Sequence, residues 1–278
     1  MAEGISIPVR NKILDAVFRG IPLPPIASYH VNVLEAVPPA TGDCSGLEYN
    51  GSARLIVQNN SANWETPASR STKNINVLKF SVATTRWEPA QGVGFFLDGS
   101  ATVADFFGAV DNSSALEISD RYKYNAGQLI LRYDPDGKYT SAEFAHRILG
   151  LLRGVTISSP DNLYLGFGEQ LPTSDGNIGE LSTAGYARYQ IPSVAGSWTA
   201  PTAGTITNAE VIELDWQATR DTTIRSIGIY ENPTGGTPLI FAALTRANVA
   251  TGKREPAPRD MSAGDSLWFP ANQIFFSL

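Results

Sequence analysis

One cysteine, two histidines and two methionines are spread over 278 residues, and these scarcities remove whole classes of chemistry. A lone Cys44 closes no internal disulfide, so no oxidising compartment is implied and the thiol is expected to act as a small apolar filler. His30 and His146 stand in no His-Glu-x-x-His arrangement and no Cys-x-x-Cys exists, so no metal site is expected. A Walker-type loop and a Gly-x-Ser-x-Gly elbow are also missing. The stretch Gly166-Phe167-Gly168 lies in a strand segment without a third glycine or a following helix, which argues against dinucleotide binding. Basic charge is short as well: the formal net charge of −6 argues against nucleic acid as a partner. No apolar run approaches the roughly 20 residues that span a bilayer. The opening Met1-Ala2-Glu3-Gly4 has neither the basic nor the apolar part of a leader. The expectation is a chain made in a cytoplasm, with no cofactor and no membrane association.

What is present is a duplication. Sliding the chain by 134 residues brings Arg19-Gly20 onto Arg153-Gly154, Gly51-Ser52-Ala53-Arg54 onto Gly185-Tyr186-Ala187-Arg188, Trp64 onto Trp198 and Asn74 onto Asn208. Thr85-Arg86 likewise meets Thr219-Arg220. Beyond Ala109 and Ala243, Ala126-Gly127 meets Ala263-Gly264 at an offset of 137, which reads as a three-residue insertion. Each copy has the size of a normal domain, with expected boundaries 1–139 and 140–278. Asp134-Pro135-Asp136-Gly137-Lys138 is read as a turn-rich bridge between them.

Local patterning gives each copy one opening helix. Ile13, Leu14, Val17 and Phe18 recur at helical spacing before Arg19-Gly20; Phe144, Ile148, Leu151 and Leu152 do so before Arg153-Gly154. Thr140-Ser141-Ala142-Glu143 reads as a capping box, and each helix is expected to pack on its own sheet. Six or more short strand-like runs follow in each copy, separated by dispersed Gly (25) and Pro (18). The predicted fold is all-β: two tandem β-sandwich or jelly-roll-like domains, each opened by one short α-helix.

The candidate residues are those the copies share. Trp64 and Trp198 suit a core or an intermolecular contact. Arg54, Arg188, Arg86 and Arg220 are placed to brace a sheet edge or a contact to a neighbour through carboxylates. Glu35 and Glu169 are the one acidic pair held in both copies, read as surface acids or partners of Arg54 and Arg188 rather than as a glycosidase pair. No catalytic residue is assigned.

Residues 144–278 resemble accessory virion proteins of tailed bacteriophages, of the tail-fibre, minor-tail or head-decoration type. The resemblance lies in Gly185-Tyr186-Ala187-Arg188, Asn208-Ala209-Glu210, Ile224-Arg225-Ser226-Ile227-Gly228-Ile229-Tyr230, Gly235-Gly236, Leu239-Ile240-Phe241-Ala242-Ala243-Leu244 and Ser262-Ala263-Gly264-Asp265. It implies a non-enzymatic virion protein, here in tandem, with a homo-oligomeric state and the major capsid protein or tail proteins as partners. The leading expectation is a capsid decoration (cement) protein. The alternatives are a minor tail or fibre-attachment protein and, from another class, a carbohydrate-binding module displaying Trp64, Trp87, Trp198, Trp216 and Trp268.

Overall fold

The computed structural model describes residues 4–110, 113–133, 140–216, 218, 221–247 and 254–278. The expected bridge and Arg220 lie outside them. The first repeat runs β1 (Gly4–Ile5), α1 (Ile7–Arg19), β2 (Ser28–Leu34), β3 (Leu55–Gln58), β4 (Ser71–Lys73), β5 (Leu78–Val82), β6 (Gly92–Phe96), β7 (Phe106–Ala109), β8 (Arg121–Tyr124) and β9 (Ile130–Arg132). The second runs α2 (Ala142–Gly150), a 3-10 turn at Leu151–Arg153, β10 (Asn162–Gly168), β11 (Tyr189–Pro192), β12 (Thr205–Thr207), β13 (Ile212–Asp215), β14 (Thr222–Ile224) and β15 (Ser226–Tyr230). It continues with β16 (Ile240–Ala243), β17 (Thr245–Ala247), β18 (Arg254–Pro256), β19 (Arg259–Met261), β20 (Ser266–Phe269) and β21 (Phe275–Ser277). Among the described residues the chain is all-β apart from two short helices and one 3-10 turn, and every ladder there is antiparallel.

One sheet organises each repeat. The first has the order β1-β7-β6-β2-β3 and the second β11-β10-β15-β16, with Thr140 bridging Ile240 on β16 as Ile5 pairs with Phe106 on β7. All five residues of β6 and of β15 are buried, as a central strand covered on both faces requires. In the first repeat Phe95 points to one side, meeting Tyr29 and Trp64 at ring-centroid distances of 6.1 and 5.7 Å. Phe96 points to the other and clusters with Leu34, Cys44, Ala104 and Phe107. Cys44 is therefore core filler, and burial pushes its thiol up to about 11.

The smaller ladders fix where the copies correspond. Thr72 pairs with Leu131 as Ile206 pairs with Phe276, and Leu78 faces Tyr124 as Ile212 faces Phe269. The C-terminal strands thus correspond at an offset of 145, not 137: the second copy carries eleven extra residues, in the stretch that forms β17 and β18. Ala126-Gly127 and Ala263-Gly264 are not equivalent. Gly264 (φ 88°) stands where Ser119 (φ 74°) does, and Gly127 (φ 75°) where Asn272 (φ 64°) does. The left-handed turns are kept while the residues filling them have changed, so matching glycine to glycine gives the wrong register.

The chain forms two compact units. One comprises Met1–Ile13, Leu23–Asp134 and Ala145–Ile157; the other Leu14–Pro22, Pro135–Phe144 and Ser158–Leu278. The helices do not each pack wholly on their own sheet. Within the second unit Phe18 packs edge-on against Trp198 at 4.7 Å and stacks with Phe276 at 5.8 Å, while Ser193 Oγ donates to the Val17 carbonyl at 2.6 Å. Within the first, the Arg153 guanidinium donates to the Trp64 carbonyl at 3.2 Å and the Arg70 amide donates to His146 Nε2 at 3.1 Å. An apolar stripe dictates that a helix face is buried but not which sheet buries it. The cap of α2 also differs in detail from the expected box: Ser141 Oγ accepts from the Phe144 amide at 3.2 Å, and Thr140 sits in the β-bridge.

Candidate functional site

The most elaborate side-chain arrangement recurs in both repeats around Arg188 and Arg54. Arg188 stands just before β11 and its side chain is only 2% exposed. Its Nε donates to Glu180 Oε1 at 2.6 Å and a terminal nitrogen donates to Glu180 Oε2, a bidentate pair. The other terminal nitrogen donates to the carbonyls of Asn232 (2.7 Å) and Gly235 (2.8 Å), and the guanidinium lies 3.4 Å above the Tyr230 ring. Arg54 repeats the plan, donating to Glu48 Oε1 at 2.7 Å and to the carbonyls of Asp98 (2.8 Å) and Ala101 (2.6 Å), 3.6 Å above Phe96. Each arginine thereby ties the strand-entry loop to the turn after the central strand.

Burial opposes the Arg188 charge, but Glu180 outweighs it, and the guanidinium is held protonated above its ordinary range. Desolvation likewise raises the hydroxyls of Tyr230 and Tyr186, with Glu180 adding to it. Tyr186 accepts from the Phe167 amide at 2.9 Å and donates to Glu180 at 3.1 Å. A guanidinium with four N–H bonds already made to its own chain offers neither a transferable proton nor an open grip for a ligand. The arrangement is a clamp.

The other candidates separate. The partners of Arg54 and Arg188 are Glu48 and Glu180, not Glu35 and Glu169. Glu35 is exposed, whereas Glu169 is half-buried and accepts from Thr222 Oγ1, so the two acids do not share an environment. Arg86 is 60% exposed and pairs loosely with Glu88 (3.4 Å) and Glu117 (3.6 Å), contacts worth about 0–1 kcal/mol. Trp64, Trp87, Trp198 and Trp216 are all core residues; Trp268 alone among the tryptophans is exposed, at 53%. That leaves little of the aromatic platform a carbohydrate-binding module would present. Among the described residues no group of His, Cys, Asp and Glu could hold a metal, and no helix is long and apolar enough to cross a membrane.

Constant-offset matching misses Glu48 and Glu180 because it sets Glu48 against Ser182. The loop from Leu34 to Glu48 is two residues longer than that from Gly168 to Glu180, and the return to the arginine is two shorter. The slips cancel. Asn74 and Asn208 were visible only as a matched pair, yet each is a buried clip. Asn208 Nδ2 donates to the carbonyls of Glu210 (2.7 Å) and Pro270 (2.9 Å), and its Oδ1 accepts from the Ile274 amide at 2.9 Å. Asn74 does the same with Asn76, Asn125 and Leu129, at 2.7, 2.9 and 2.9 Å.

A family model described as Podophage GP4 fiber I protein gp80 matches the chain over two segments, residues 4–132 and 140–277. No curated protein matches it.

Proposed function

The chain belongs to this podophage fibre family and is a structural protein of a phage, and from that premise we propose that it is a non-enzymatic component of the tail-fibre apparatus, built to hold surfaces rather than to turn over a substrate. The observation that carries the reading is that the family matches both repeats. The doubled arginine clamp supports it, since its charged groups are consumed in joining loops of the same chain. Capsid decoration draws no support from a fibre family, so the fibre alternative is favoured over it. Two linked repeats suit attachment, because linkage raises the effective concentration of the second contact once the first is made. Its partners would be other tail proteins of the same particle, and further copies of this chain.

Electron microscopy of particles carrying a tagged copy tests this. Label at the tail, with a copy number in the range of tail appendages, is expected. Label spread over the shell in proportion to coat subunits would restore the decoration reading.

A further inference from the structure

One ladder common to both repeats has changed the sign of its outer face. In the first repeat β5 pairs with β8, and alternation buries Leu78, Phe80 and Tyr122 while Lys79, Arg121 and Lys123 are exposed. Lys79 and Lys123 are register partners, directly opposite each other on one face. Like charges in that position destabilise a ladder. Among the described residues none of these three cations makes an ion pair or a side-chain hydrogen bond, so no contacting carboxylate offsets their repulsion.

The equivalent ladder of the second repeat, β13 with β20, has the opposite character. Glu213 stands where Lys79 does, and directly across from it Trp268 stands where Lys123 does. Asp215 follows on the same face opposite Ser266, the counterpart of Arg121. These four side chains are all exposed. An exposed valine immediately before the strand, Val77 or Val211, is common to both copies. The fold demands neither charge, since each repeat builds the ladder with the other sign.

We propose that the two faces are the halves of a contact between copies of the chain: the face of Lys79, Arg121 and Lys123 on one copy docks on the face of Glu213, Asp215 and Trp268 on the next. The carboxylates pair with the cations, and the indole takes a cation over its ring as its apolar area leaves water. Two short strands bury less than a standard interface, so a single contact is weak and sensitive to salt. Because the two patches differ, the contact is heterologous and repeats from copy to copy, closing a ring or extending a filament. The inference rests on the fibre reading only in taking further copies of this chain as a partner.

Sedimentation of the full chain tests it, with K79E/K123E and E213K/D215K as charge-reversed variants. All four positions are exposed, so circular dichroism of the variants should match that of the native chain. At concentrations up to about 1 mM the native chain is expected to self-associate in about 50 mM salt, and roughly tenfold more weakly in about 500 mM. Each variant alone should associate roughly tenfold or more weakly than the native chain, because like charges then meet. Mixing the two variants, or combining all four substitutions in one chain, brings opposite charges together again and should restore association. A native chain that stays monomeric at low salt, association untouched by either reversal, or failure of both the mixture and the combined variant to recover would overturn the contact. A monomeric chain would leave the cationic face to a different anionic partner without touching the tail location, which the labelled particles read separately.

Discussion

Removing the Arg188 side chain offers the sharpest test of the clamp. R188A strands Glu180, frees the Asn232 and Gly235 carbonyls and strips the cation from the Tyr230 face. Breaking a buried ion pair costs about 3–5 kcal/mol. Glu180 is 24% exposed and can rehydrate in part, which sets the pair near the lower end. The lost cation–π contact adds about 1 kcal/mol, for a total of about 4 kcal/mol. Arg54 is 12% exposed against 2% and has one fewer hydrogen bond to its glutamate, so R54A should cost about 2 kcal/mol. R188K keeps the charge but not the planar fork and should fall between R188A and the native chain. Calorimetry of the full chain, with urea titration followed by tryptophan fluorescence, reads these losses. At about 4 °C per kcal/mol for a unit of this size, the transition that R188A lowers should drop by about 16 °C. A loss under about 1 kcal/mol for R188A, or a larger loss for R54A than for R188A, would refute the view that the buried fork holds the loop.

Three further outcomes follow from the packing. N208A and N74A should each cost about 3 kcal/mol, one for each backbone group left without its partner, and N208D should be worse than N208A at neutral pH, because a carboxylate would face two carbonyls; urea titration checks the order. F18A and W198A should couple in a double-mutant cycle by about 0.5–1.5 kcal/mol, as expected of an edge-to-face pair at 4.7 Å; additivity would mean that α1 does not pack there. The native acid at position 105 is raised by burial to about 6 from 3.8, so the folded state holds the proton more tightly than the unfolded chain. Stability attributable to this group therefore rises as the pH falls through 6 and is complete below 3.8, a gain of about 3 kcal/mol that D105N should lack when the two melting profiles are compared.

Patterns local to an element could be read from the residues, and patterns requiring a partner could not. The stripe of Ile13, Leu14, Val17 and Phe18 identifies a helix, and the alternation of Leu78, Lys79 and Phe80 a strand with one buried face, because 3.6- and 2-residue periods are properties of the backbone itself. Strands β4 and β12 carry no such pattern: Ser71–Lys73 and Thr205–Thr207 are short, mostly polar and held by hairpin turns whose central residues take positive φ, Ser69 and Arg70 in one copy and Ala203 and Gly204 in the other. Strict alternation from Leu78 and Phe80 would place Val82 on the same core face, but a register shift between Lys79 and Val82 leaves it exposed. The clamp was half legible. Repetition marked the arginines, but their acids sit after loops whose two-residue slips cancel, so only backbone geometry brings Glu48 and Glu180 into correspondence.

Duplication also separates what the fold requires from what it merely carries. The arginine clamp and the buried asparagine occur twice in equivalent geometry, each joining parts of the same repeat, and in both copies the buried tryptophan after the turn bridges that asparagine. The differences lie elsewhere. Exposed Trp268 stands where the first repeat has exposed Lys123, buried Asp105 where the second has buried Leu239, and the residues forming β17 and β18 have no counterpart in the first copy. None of these departures is demanded by the core, since the sister repeat folds without it. A surface tryptophan in place of a lysine exchanges a hydrated charge for a large apolar area, which is a change of contact chemistry rather than of fold. W268K should therefore leave the melting transitions within about 0.5 kcal/mol of native while weakening assembly of the chain into particles. Loss of folding in W268K, or particles that incorporate it as well as the native chain, would show that divergence between the repeats does not mark the surfaces the fibre uses.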